Sequence, residues 1–247
     1  MSVYIDTHCH LDRYPNPLNV LDRSPDTVVV AVSELPSHYR LLAARFRRDK
    51  QVRVALGLHP LRAADAGPLE EGLLFRLLPD TEYVGEIGLD FSRHGRASSA
   101  AQLRILDRLL EQSVLRARVL SLHSRGAERV LIDRLSDAGV TGILHWYTGP
   151  TSLIDRALSA GLYFSVNPAM LRSERGRATV AALPSERVLT ESDGPYSMVG
   201  GRPCGPSDMS HLVRNLAQIW NSTNEQTRDL ISSNLARLYS ATAGISR

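Results

Sequence analysis

Eight times along this chain an apolar, often β-branched run gives way to a polar or glycine-bearing loop, and most of these loops lead into a helical pattern. That alternation limits the fold more than any other feature. The runs cover 3–6, 27–33, 52–57, 83–87, 119–123, 141–146, 162–166 and 187–191. Short continuous apolar runs read as strands buried on both faces, the condition of a parallel sheet with helices outside it. Helical spacing fills 37–50, 68–78, 98–118, 125–138 and 152–160; the tail adds 207–220 and a last helix from Thr223/Asn224 to about Tyr239. Gly139 and Gly161 stand where two of these helices should stop. The first connection is the weak point, because Pro15, Pro17 and Pro25 leave room for little helix. No linker or shift in composition divides the 247 residues. The pattern therefore predicts one domain over 1–247, an α/β fold closed as a single (β/α)8 TIM barrel with right-handed crossovers. An open doubly wound sheet is the competitor, but neither a Gly-x-Gly-x-x-Gly nor a phosphate-loop lysine motif supports it.

A barrel of this kind carries its chemistry at the C-terminal ends of its strands. The first run ends in Asp6-Thr7-His8-Cys9-His10, and in an extended segment His8 and His10 point to the same side. Later ends read Gly57-Leu58-His59-Pro60, Gly85-Glu86-Ile87-Gly88-Leu89-Asp90, His123-Ser124-Arg125, His145-Trp146-Tyr147 and Glu191-Ser192-Asp193-Gly194-Pro195. The imidazoles of His8, His10, His123 and His145 with the carboxylates of Glu86 and Asp193 suffice for two divalent ions, Glu86 being central enough in strand order to bridge them. Such a pair activates water and neutralises charge on a phosphodiester. Imidazole–carboxylate sites accept Mg2+, Mn2+ or Zn2+, so the metal stays open. Asp6 reads as a partner that orients a histidine, whereas His59 and Asp90 are equally readable as polar core groups. His38, His94 and His211 fall in helices or loops and are set aside.

The formal charge is only +3, and Lys50 is the sole lysine, so the basic character is arginine. Arg13, Arg93, Arg96, Arg125, Arg172, Arg175, Arg177 and Arg202 fall in rim loops, the run Leu171-Arg172-Ser173-Glu174-Arg175-Gly176-Arg177 directly after the seventh strand. Arginine's planar fork suits phosphate, and phosphate contacts supply most sequence-independent affinity for nucleic acid. Tyr14, Phe91, Trp146, Tyr147 and Tyr196 also lie near strand ends, where rings can stack on bases. The expected substrate contacts are His59, Arg125, Arg172, Arg175, Arg177, Trp146 and Tyr196, and the expected partner is DNA. Two alternatives share the barrel: a metal hydrolase of a small ester, amide or phosphoester, and a non-catalytic scaffold subunit. Two cysteines, Cys9 and Cys204, make no disulfide framework or zinc finger. No apolar stretch is long enough to span a membrane and no signal segment opens the chain, so the reading is cytoplasmic.

Taken together with His145-Trp146-Tyr147-Thr148-Gly149, these strand-end motifs resemble, in order and spacing, the signatures of the TatD family of metal-dependent deoxyribonucleases. The resemblance runs from the first strand to the last helix. It implies a barrel of the amidohydrolase superfamily that hydrolyses DNA, often as a 3′-to-5′ exonuclease. By that resemblance His8, His10 and Asp193 hold one metal, His123 and His145 the other, and Glu86 both, with Asp193 as general base. The short proline-rich first connection departs from the common pattern. So does Gly200-Gly201-Arg202-Pro203-Cys204-Gly205-Pro206, which replaces the family's usual Arg-Asn-Glu-Pro loop. With Tyr163-Phe164-Ser165-Val166-Asn167-Pro168-Ala169-Met170-Leu171, these features look like the TatD-like branch of the Qat antiphage defence system, which implies work alongside other defence proteins.

Overall fold

The computed structural model describes residues 3–243. Each of the eight apolar runs forms a strand: β1 (Tyr4–Cys9), β2 (Thr27–Val32), β3 (Val52–Leu56), β4 (Tyr83–Gly88), β5 (Val119–His123), β6 (Ile143–Leu144), β7 (Tyr163–Val166) and β8 (Val188–Thr190). They make one parallel sheet in the order of the sequence. The sheet curls until β8 meets β1, where Thr7 Oγ1 donates to the Thr190 carbonyl (3.0 Å) and Cys9 bridges Gly194. The result is the expected (β/α)8 barrel. Leu56, Leu120, Leu122, Phe164 and Leu189 are fully buried, the mark of strands covered on both faces.

The helices are α1 (Pro17–Asp22), α2 (Pro36–Phe46), α3 (Gly67–Leu77), α4 (Ser99–Leu110), α5 (Glu128–Ala138), α6 (Ile154–Ser159), α7 (Glu174–Ala182), α8 (Met209–Ile219) and α9 (Asn224–Ala243). Gly139 ends α5 in the left-handed region (φ 62°), as its place in the sequence predicts. The proline-rich first connection still finds a short α1, capped by Asn16 Oδ1 accepting from the Leu18 amide (3.2 Å).

Two expectations need correcting. The helix read over 98–118 stops at Leu110, after which Gln112 is extended and a 3₁₀ turn, Ser113–Ala117, buries Leu115. A helix of that full length would run about 30 Å, far past the roughly 17 Å of a five-residue strand beside it. The arginine run after β7 is not a loop either. Ser173 Oγ accepts from the Gly176 amide (3.0 Å) and starts α7, so Arg175 and Arg177 stand on its first turns.

Candidate metal centre

At the C-terminal mouth of the barrel, Glu86 lies in the middle of the histidines and is 2 % exposed. Its backbone is placed by Ser33 at the end of β2: the Glu86 amide donates to the Ser33 carbonyl (3.2 Å), and Ser33 Oγ donates to the Ala55 carbonyl (3.0 Å). Residue 57 must be glycine for this approach, since a Cβ there would sit 1.9 Å from the Ser33 carbonyl oxygen and 2.4 Å from the Glu86 nitrogen.

The two carboxylate oxygens of Glu86 face different neighbours. Oε2 lies 3.4 Å from His8 Nε2 and 3.3 Å from His10 Nε2. Those two nitrogens are 3.2 Å apart, and Asp193 Oδ1 stands 3.5 Å and 3.6 Å from them. A tetrahedral ion with bonds of about 2.1 Å sets its ligands about 3.4 Å apart, so this nest fits a divalent cation. On the other side, Glu86 Oε1 lies 2.6 Å from His123 Nδ1, 2.8 Å from His145 Nε2 and 3.3 Å from His59 Nε2, with the first two nitrogens 3.3 Å apart. Two groups of ligand-type side chains, His8/His10/Asp193 and His59/Glu86/His123, are thus close enough to hold one divalent ion each. His8, His145 and Glu191 also cluster. There, however, the two imidazoles stack face to face at 4.0 Å, and Glu191 already accepts from the Trp146 amide, the Asn167 side chain and Ser165 Oγ. Lone pairs lie in the ring plane, so that third set does not converge on a point.

Which nitrogen is free to ligate is set by what the other one does. His123 Nε2 donates to Asp90 Oδ2 (2.9 Å), so the proton a metal would displace is the one on Nδ1, which lies 2.6 Å from Glu86 Oε1. His8 Nδ1 is held by Ser121 Oγ (2.7 Å), with Nε2 toward the nest. His59 is different. Its Nδ1 accepts the Leu61 amide (3.1 Å), so in a neutral ring the proton sits on Nε2, and the atom facing Glu86 is a donor. Asp6 does not orient a ring: its Oδ1 accepts the His8 amide (3.2 Å) and the Ser192 amide (2.9 Å), tying the end of β1 to the end of β8.

Burial drives the titration of these groups. It lifts Asp193 to about 7, against the pull of His145 and His10, and Asp6 also to about 7. It lowers His8 to about 3, aided by His145, which keeps that ring neutral as a ligand must be. Burial also opposes ionising Glu86, but His59, His145 and His8 outweigh it and hold the carboxyl well below its usual range. Asp90 and Glu86 likewise overcome burial to raise His123, and Glu86 and Glu191 do so for His145. Two non-glycine residues here have left-handed backbones, Trp146 (φ 38°) and Asp193 (φ 45°). Each is held in place: Trp146 by Glu191, Asp193 by its amide donating to the His8 carbonyl (2.8 Å).

Above the nests opens a cavity of about 790 Å³. Of the expected substrate contacts, His59, Arg125, Trp146 and Tyr196 line it; Arg172, Arg175 and Arg177 do not. Arg175 instead donates to the Thr148 carbonyl (3.0 Å), and Arg177 to the Leu171 carbonyl (3.1 Å). Tyr147 is no rim ring. It is 1 % exposed, packs edge-on to Phe164 and donates to the Pro150 carbonyl (2.7 Å). Tyr14 likewise turns inward, its hydroxyl donating to the Cys204 carbonyl. Glu34 also lines the cavity, accepting from Tyr196 (2.6 Å) and Arg13 (2.5 Å). Glu34 stands two residues past the end of β2, and nothing in the local sequence marks it as a cavity residue.

The sequence profile described as "TatD related DNase" matches residues 5–240. The chain belongs to the TatD family. It is an enzyme, a metal-dependent hydrolase of the TatD type. Among TatD relatives, a human protein named deoxyribonuclease TATDN3 is 26 % identical over 264 residues, covering 95 % of this chain and 94 % of its own. A Mycobacterium tuberculosis protein named as a metal-dependent hydrolase TatD is 27 % identical over 256 residues, covering 95 % and 97 %. The crystal structure of the TatD homologue YJJV from Escherichia coli shares the fold, with a TM-score of 0.78 at 22 % identity over 97 % of each chain. No helix among the described residues is long and apolar enough to cross a membrane.

Proposed function

We propose that this chain is a divalent-metal deoxyribonuclease that removes nucleotides from exposed 3′ ends of single-stranded DNA. The observation that carries the reading is the division of Glu86, one oxygen among His8, His10 and Asp193, the other among His123, His145 and His59. In this reading His8, His10, Asp193 and Glu86 hold one ion, and Glu86, His123 and His145 the other. When bound, the ions supply Lewis-acid stabilisation of the phosphodiester and lower the pKa of water. The protein does the rest. Asp193 takes the proton of the attacking water, and the Nε2–H of His59 and the guanidinium of Arg125 meet phosphate oxygens from the cavity wall. Trp146 and Tyr196 offer faces to bases.

The choice of a free end follows from burial. His8, His10, Glu86 and Asp193 are at most 4 % exposed, so a scissile bond has to descend to them. One strand end can do so, whereas a duplex, with its second strand alongside, cannot follow it down. We extend the proposal to the Qat-type antiphage branch, acting with partner proteins, on the proline-rich first connection and the stretches 163–171 and 200–206. The catalytic unit is taken as residues 1–247.

The test is release of nucleotides from end-labelled oligonucleotides, each end blocked in turn, with Mg2+, Mn2+ or Zn2+ supplied. Release that stops when the 3′ end is blocked is the expected result. Turnover of a small ester or amide with no nucleotide release overturns it. For the defence branch, loss of phage protection in cells carrying Glu86→Ala is the matching measurement.

A further inference from the structure

The barrel rim sorts its arginines into two kinds. Around β7 and β8 each one is already engaged. Arg172 donates to the Met198 carbonyl (3.3 Å), Arg175 and Arg177 to the carbonyls of Thr148 and Leu171, and Arg202 is bidentate on Asp208 (3.0 Å and 2.5 Å). Asp208 neutralises the last outright, and the others have their heads held on backbone. Around β3 to β5 the situation is reversed. Arg62, Arg93, Arg96 and Arg125 are exposed, and among the described residues their guanidinium groups have no ion-pair or hydrogen-bond partner. All five donors and the full charge of each remain available.

Two of these four border the cavity, and the other two stand on a loop tied to its wall. Arg62 and Arg125 line it. The loop carrying Arg93 and Arg96 is tied to the Arg125 loop, since the Phe91 amide donates to the Arg125 carbonyl (2.8 Å). Trp146 and Tyr196 supply flat rings to the wall after β6 and β8. The wall is therefore cationic over β3 to β5 and aromatic over β6 and β8. A polymer with charged phosphates on one edge and flat bases on the other matches that division in one orientation only.

We infer that a single DNA strand leaves the metal centre over the β3–β5 sector, its phosphates meeting Arg62 and Arg125 and then Arg93 and Arg96, its bases turned toward Trp146 and Tyr196. The inference rests on the nuclease reading above, and it assigns the strand to the side of the rim away from the Arg172–Arg177 cluster that the sequence favoured.

The test is equilibrium binding of a labelled phosphorothioate single strand of about twelve nucleotides to the full-length, Mn2+-loaded protein across a salt series. The double variant Arg93→Ser/Arg96→Ser should make the slope of log K against log salt shallower by about 1.4, or about 0.7 for each lost phosphate. Its affinity should fall equally for two unrelated sequences. Arg172→Ser/Arg175→Ser should keep the wild-type slope. An unchanged slope in the first pair, a loss confined to the second, or no binding by the wild type overturns the track. Both pairs are exposed, and a thermal melt checks that each variant is folded. Nucleotide release from an unmodified strand reads the nuclease proposal separately. Shallow slope without release retires that proposal alone, and release with an unchanged slope retires the track alone.

Discussion

The two nests that share Glu86 are built differently. Around Oε2 the donor atoms stand 3.2–3.6 Å apart, the spacing of ligands about a common ion, and most of those separations are too long for good hydrogen bonds. Around Oε1 the His123 and His145 rings close to 2.6 Å and 2.8 Å, which are hydrogen-bond lengths. The first nest is held open by the β1–β8 seam, where Asp6 pins the His8 and Ser192 amides and Ser121 fixes the His8 ring. The second is drawn together by charge-assisted bonds that an arriving cation has to displace, and its His123 and His59 side chains are the more exposed, at 14 % and 13 %. A rigid nest binds tightly because little has to move, and a closed one gives up part of its binding energy in opening. The two ions should therefore differ in affinity, the one at His8/His10/Asp193 being retained longer.

Several measurements bear on that difference. Glu86→Ala removes the shared carboxylate and should empty both nests. Metal content by mass spectrometry should approach zero, and DNA hydrolysis should fall at least about a thousandfold, with the fold intact by circular dichroism. Retention of either ion would mean that Glu86 does not bridge. Paired substitution divides the nests: His8→Ala should abolish tight binding, while His123→Ala should spare one tightly held ion and recover activity when excess metal is added. Recovery in the reverse order would invert the comparison. Graded chelation of the wild type, followed by calorimetry, should show two steps, the weaker ion leaving first; a single step would make the nests equivalent. Asp90→Asn, which loosens His123, should weaken the second ion about 10- to 100-fold and leave the first unchanged. The smallest effect belongs to Ser121→Ala, a few-fold loss confined to the first ion, because a neutral hydroxyl holds a ring less firmly than a carboxylate does.

How far these features could be read in advance varied with their range along the chain. The strands were legible because burial on both faces demands continuous apolar runs, and β1 to β8 fall on all eight of them. Helix ends marked by glycine, such as Gly139, were equally plain. The break of the long helix at Leu110 was not, because Leu103, Leu106, Leu110 and Val114 keep helical spacing through it although the chain turns extended at Gln112. Tyr147 resembled a rim ring from its place after β6, yet its side chain points into the core. The arginines misled most. An arginine-rich chain offers the same residue wherever a loop occurs, and neither the carbonyl that holds Arg175 nor the carboxylate that neutralises Arg202 is visible from local sequence alone.

What the sequence determined by itself was the alternation that closes a barrel and the placing of ligand-type residues at its strand ends, because both follow from spacing along a single strand. The tertiary structure decided which oxygen of Glu86 faces which histidines, that the Nε2 of His59 is a donor, and which arginines are left free. Those are relations between residues far apart in the chain. They are fixed only when β1 meets β8 and each side chain has found the partner that occupies or spares its polar atoms.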